Sequence, residues 1–140
     1  MKEGYFSVKG GIQPPFSKCQ SKVHVEYNER DAYSAYYECF PDLTFWGGMT
    51  TRGVRSCIEG SFKKGGRRMK FVRTFPQEPE LENISHHFGL DAKGDDKYKY
   101  EGHWGISGNG SPYEVTAAIS PISKKAFQRA MKRLGCRRDA

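Results

Sequence analysis

No apolar run in the chain approaches the roughly 18 residues that a membrane-spanning helix requires. The start, "MKEGYFSVKGG", has no apolar segment after its first charges, so it does not read as a secretory signal. The expectation is a cytoplasmic protein, or a mature form whose signal has been removed. Cysteines are few, and no two of Cys19, Cys39, Cys57 and Cys136 form a C-x-x-C pair, which argues against a zinc ribbon. In a chain of this length with no signal, free thiols are expected over two disulfides, with Cys39 and Cys57 filling small core positions.

Signatures of catalysis are missing too. There is no G-x-S-x-G phrase and no Cys/His signature. The glycine-rich "GISGNG" (105–110) lacks a following Lys-Ser/Thr and a following helix, so it is not a phosphate loop. Asp95-Asp96 and Glu78/Glu80 fall in turns, where paired acids are solvated. Adjacent residues on a strand point to opposite faces, so His86 and His87 are poorly placed to share one ion. His87, His103 and a nearby cysteine offer a cross-strand metal site, but no ligand spacing supports it. The expectation is a protein that is not an enzyme and uses no metal and no cofactor.

Acidic residues are nearly absent from the last twenty positions. There Asp139 stands against Lys124, Lys125, Arg129, Lys132, Arg133, Arg137 and Arg138, a local charge of +6. The whole chain is +7, so residues 1–120 are almost neutral. A second basic cluster, "FKKGGRRMK", carries Lys63, Lys64, Arg67, Arg68 and Lys70.

What is plentiful is rings and glycines: 14% of residues are aromatic and 16 are glycine. Together they favour short strands joined by tight turns. Two-residue alternation recurs over 4–10, 22–28, 33–40, 43–51, 53–62, 68–75, 97–107 and 112–120, and more weakly over 81–90. In "KYKYEGHWGISGNGSPYEVTAAIS" (97–120), Tyr98, Tyr100, Trp104 and Ile106 share one face, and Tyr113, Val115, Ala117 and Ile119 share another. Gly65-Gly66 supplies the positive φ angles of a primed hairpin turn, and Pro76 and Pro79 interrupt the ladder.

The end of the chain is helical in pattern. "SPISKKAFQRAMKRLG" offers Ser120 as N-cap, Pro121 at the first helical position and Gly135 as the stop. Ile122, Ala126, Phe127, Ala130, Met131 and Leu134 form one apolar stripe. The expected fold is mainly β: one antiparallel up-and-down β-barrel of about eight strands (1–120), followed by a C-terminal amphipathic basic helix and tail (121–140) packed on it. A two-sheet sandwich is the alternative.

The phrase "MKFVRTF", a turn-rich gap, "YKYEGHWGISG" and a last alternating strand resemble the second half of small calycin-type barrels: the lipocalin, fatty-acid-binding and avidin-like proteins. The likeness covers roughly residues 53–120 and rests on strand rhythm and on Gly102-His103-Trp104. It implies a barrel whose interior can hold a small ligand.

Two functional readings follow. In the first, Phe71, Arg73, Tyr98, Tyr100, Trp104 and Tyr113 line a barrel site for a small organic ligand, and Arg73 points to an anionic one. The competing reading is a barrel filled by its own rings. Arg73 shares the parity of Phe71 and Phe75. Facing inward, it is a buried cation in need of an anionic partner, such as a ligand carboxylate or phosphate; at a strand end or bulge it escapes to solvent. In the second reading, Lys63, Lys64, Arg67, Arg68, Lys124, Lys125, Arg129, Lys132 and Arg133 bind nucleic acid or an acidic protein surface. Tyr36, Tyr37 or Trp46, if exposed nearby, would then serve as stacking platforms. No RRM, KH or zinc-finger phrase accompanies them.

Overall fold

A computed structural model describes residues 3–14, 30–106 and 110–138. Its strands are β1 (Gly4–Ile12), β2 (Asp31–Cys39), β3 (Thr44–Thr51), β4 (Val54–Lys63), β5 (Arg68–Thr74), β6 (Ser85–Lys93), β7 (Asp96–Ile106) and β8 (Tyr113–Pro121), followed by helix α1 (Lys124–Leu134). Each strand pairs antiparallel with the next, and β8 returns to β1, with Phe6 opposite Pro121 and Ile12 opposite Val115. The result is a closed barrel without an edge strand. The alternating stretch 22–28 lies outside the described residues.

Alternation decides which residues face inward. Phe6, Val8 and Ile12 of β1, Tyr33, Ala35 and Tyr37 of β2, and Val115, Ala117 and Ile119 of β8 are buried every second residue. Glycines at inward positions let the strands bend and approach. A Cβ on Gly60 would lie 2.0 Å from the Lys70 carbonyl, and one on Gly102 would lie 2.1 Å from that of Gly89.

The two ends of the barrel differ. At one end the connections are short: 40–43, 64–67 and the turn between β6 and β7. We call this the turn end. At the other, the loop end, 13–30, 75–84 and 107–112 join the strands, with a tight Arg52-Gly53 turn between β3 and β4. The hairpin read from Gly65-Gly66 is a four-residue loop, not a two-residue turn. Lys63 and Arg68 form its last pair, and Lys64, Gly65 and Gly66 all have positive φ. The longer loop lets Gly66 fold over the turn end, where its carbonyl accepts the Tyr100 hydroxyl.

The helix starts later than the sequence suggests. Pro121 still belongs to β8, because its partner Phe6 continues the ladder, and the Ile122 amide then donates to the Tyr5 carbonyl. Ser123 is the N-cap, accepting the Ala126 amide at 3.1 Å. Gly135 ends the helix at φ 72°. Phe127, Ala130, Met131 and Leu134 bury against Tyr5, Tyr36, Trp46 and Ile122 on the barrel's outer wall.

The expectation of free thiols holds for Cys39 and is overturned for Cys57 and Cys136. Cys57, on the outward parity of β4, is bonded to Cys136, with the Cα atoms 5.7 Å apart. A sequence separation of 79 hides the pairing from any local pattern. Helix docking brings the tail back onto β4, and Gln77 Nε2 donates to the Gly135 carbonyl at 2.8 Å to fasten it. Cys39 is free and buried, its thiol pushed up to about 11 by desolvation.

Candidate functional site

An aromatic cluster lines the barrel from end to end. Near the turn end, Phe6 stacks on Tyr37 (5.1 Å), Tyr37 tilts on Phe45 (5.0 Å), and Phe45 packs on Phe62 (5.2 Å). Phe62 reaches Tyr100 at 6.0 Å. Ring pairs at these separations add to the area they bury. This half of the interior is filled.

Toward the loop end the rings continue, but polar atoms join them. Phe71 stacks on Phe88 (4.4 Å), Phe88 on Trp104 (5.7 Å), and Trp104 meets His86 (4.6 Å) and Tyr113 (5.0 Å). The Trp104 indole donates to the Gln13 carbonyl at 3.2 Å. Arg73 of β5 is inward and only 4% exposed, so no strand end or bulge releases it to solvent. It sits directly opposite Ile58 on β4 and His86 on β6. Its Nε donates to the Ser56 hydroxyl at 2.6 Å, and that hydroxyl donates on to the Met49 carbonyl at 2.8 Å. The guanidinium lies 4.9 Å from the Phe75 ring centroid.

Three buried polar atoms here have no hydrogen-bond partner among the described residues: Arg73 Nη2, His86 Nδ1 and Thr51 Oγ1. In folded proteins such atoms are nearly always satisfied. Burial lowers the Arg73 pKa to about 10, which leaves it charged at neutral pH. Burial, and then the charge of Arg73, lowers His86 to about 4, so its imidazole is neutral. The other arginines around this end are matched: Arg30 with Glu114, Arg52 with Asp31 (3.1 Å) and Arg55 with Glu78 (3.8 Å). Arg73 faces no carboxylate among the described residues. The layer is not sealed, since His86, Ile106 and Tyr113 are each half-buried.

The six residues singled out for a ligand site divide. Arg73, Trp104 and Tyr113 belong to the polar layer, and Phe71 joins it to the packed half through Phe88. Tyr100 belongs to the packed half, capped by Gly66. Tyr98 is 46% exposed, on the part of β7 where the register with β6 breaks after Ala92. Trp46 faces outward and packs edge-on against Phe127 at 5.3 Å. Sequence reasoning missed Thr51 and His86 as parts of the layer. Both are on inward parity, opposite Tyr33 and Arg73, but that parity shows only when register is known.

Of the candidate stacking platforms, Tyr36 meets a basic residue: the Arg133 guanidinium lies 5.7 Å from its ring centroid. Lys124, Lys125, Arg129, Lys132 and Arg133 are exposed on α1, which lies across β1–β4. Lys63, Lys64 and Arg67 are exposed at the turn that packs on β4 and β5, and Arg68 pairs with Asp91 at 3.0 Å. Tyr37 is buried inside the barrel, and Tyr36 and Trp46 are covered by the helix. Outside the barrel, a groove of about 960 Å³ runs between the β3–β4 face and Arg137 and Arg138. Among the described residues no cluster of His, Cys, Asp or Glu can hold a metal ion. No helix among them is long and apolar enough to cross a membrane.

No family model matches the chain, and no curated protein matches it. Among solved structures it is similar to the one titled "Structure of EF1p2_mFAP2b bound to DFHBI", with a TM-score of 0.50 and 14% identity. The match covers 86% of this chain and 93% of that one. At that identity the likeness speaks for the fold alone, a closed eight-stranded antiparallel barrel, and that neighbour is described as bound to DFHBI.

Proposed function

We propose that the protein is a non-enzymatic binder of a small organic ligand, held in the loop-end half of the barrel by an anionic group on Arg73. The observation that carries this reading is a buried guanidinium with an unpartnered Nη2 and no facing carboxylate among the described residues. An isolated buried charge is costly unless something pairs with it. Rings with a few convergent polar groups are the usual make-up of a small-molecule site, and the structural neighbour of this fold is described as bound to DFHBI. The disulfide weighs against the cytoplasmic location expected from the sequence, because such bonds persist in oxidising compartments.

Native mass spectrometry tests the reading. The protein as purified should carry a small extra mass that is lost on denaturation and is absent from Arg73→Met. A ligand retained equally by folded Arg73→Met would overturn it.

A further inference from the structure

We infer that the interior site takes a monoanionic carboxylate on a flat aromatic body, one carboxylate oxygen on Arg73 Nη2 and the other on His86 Nδ1. This inference rests on the binding reading above and names the class of ligand.

Charge is the first argument. Arg73 is the single cation among the inward residues described at this end, since Arg30, Arg52 and Arg55 are matched by Glu114, Asp31 and Glu78. A carboxylate carries one negative charge and neutralises it. A phosphate monoester carries about −1.5 to −2 at neutral pH and would leave charge uncompensated in the barrel.

The second argument is the set of free hydrogen-bonding atoms. A carboxylate offers two oxygens with about four lone-pair sites. Arg73 already spends Nε on Ser56, which leaves Nη2 to donate. His86 stands directly across the ladder from Arg73, with Nδ1 buried and without a partner among the described residues. In the neutral tautomer protonated at Nδ1, it donates beside the guanidinium without adding a charge. The Thr51 hydroxyl, at the same end of the barrel, is a further donor without a partner among the described residues.

The third argument is shape. Flat groups surround these atoms: His86 lies 4.6 Å from Trp104 and 5.0 Å from Phe75, and Trp104 lies 5.0 Å from Tyr113. These rings touch one another, so a ring on the ligand extends their stack, whereas a flexible alkyl chain would lose more rotamer freedom for the same contact.

Calorimetric titration of the stripped, full-length protein with four probes decides the matter: trans-cinnamate, its neutral amide, hexanoate and phenyl phosphate. The inference expects trans-cinnamate to bind at least about tenfold more tightly than each of the others. It also expects Arg73→Met to weaken trans-cinnamate by about tenfold or more, and His86→Phe to weaken it while leaving the amide unchanged. Hexanoate or phenyl phosphate binding as tightly as trans-cinnamate, but only with Arg73 present, overturns the ligand class and leaves the anion site standing. Equal binding of the neutral amide, or no binding of any probe, overturns both. The comparison among probes on the unaltered protein decides even where a variant does not fold.

Discussion

The two halves of the barrel interior are built from the same alternation and do opposite things. At the turn end, Phe6, Tyr37, Phe45, Phe62 and Tyr100 fill the space, and the Tyr100 hydroxyl among them is capped by the Gly66 carbonyl. At the loop end, Phe75 packs on the Arg73 guanidinium and the His86 imidazole, Trp104 packs on His86, and these two residues and Thr51 each keep an atom without a partner among the described residues. A packed core minimises such atoms, whereas a site for a polar ligand leaves them in place until the ligand arrives. The difference teaches that rings on inward parity do not separate core from pocket; the polar atoms between them do.

Substitutions should expose that contrast. The largest effect is expected in the packed half: Phe45→Ala or Phe62→Ala should cost about 3–5 kcal/mol in denaturant unfolding, because each empties a well-filled space. A loss under about 1 kcal/mol would mean that this half is loosely packed.

Next comes the outer clamp. Cys57→Ser with Cys136→Ser should cost about 2–4 kcal/mol and loosen the tail after α1, read as faster hydrogen exchange at residues 135–138. Unchanged stability and exchange would show that helix packing alone secures the tail.

Much of the architecture was legible in the sequence. The strand rhythm, the closed barrel, the terminal helix and its Gly135 stop follow from two-residue and 3.6-residue periods, which are local. The helix start was misread because Pro121 pairs with Phe6, 115 residues away, a non-local reason to stay extended. The Cys57–Cys136 bond was missed for the same cause. Arg73 was visible as a parity oddity, but its burial depends on its position along β5 relative to β4 and β6. His86 was hidden inside a His-His pair, where only the register opposite Arg73 shows which of the two points inward.

The polar half should also mark itself by pH. The His86 pKa lies at about 4, below the ordinary 6.5, because burial and the neighbouring Arg73 disfavour its charged form. Its contribution to stability is therefore complete above pH 6.5 and is lost as pH falls toward 4. The unaltered protein should lose about 2 kcal/mol more than His86→Gln across that window, allowing for partial exposure. Parallel curves for the two proteins would show that the imidazole is not held neutral.

The smallest change in stability carries the central claim. Arg73→Met removes a buried charge with no carboxylate facing it among the described residues, so the free protein should be unharmed, or gain about 1 kcal/mol. The most direct measurement is thermal unfolding of the unaltered protein and Arg73→Met, each with and without trans-cinnamate. The account predicts a variant at least as stable as the free parent, and an upward shift with trans-cinnamate in the parent alone. A destabilised variant, with both proteins responding alike to the acid, would show that Arg73 serves the fold and not a ligand.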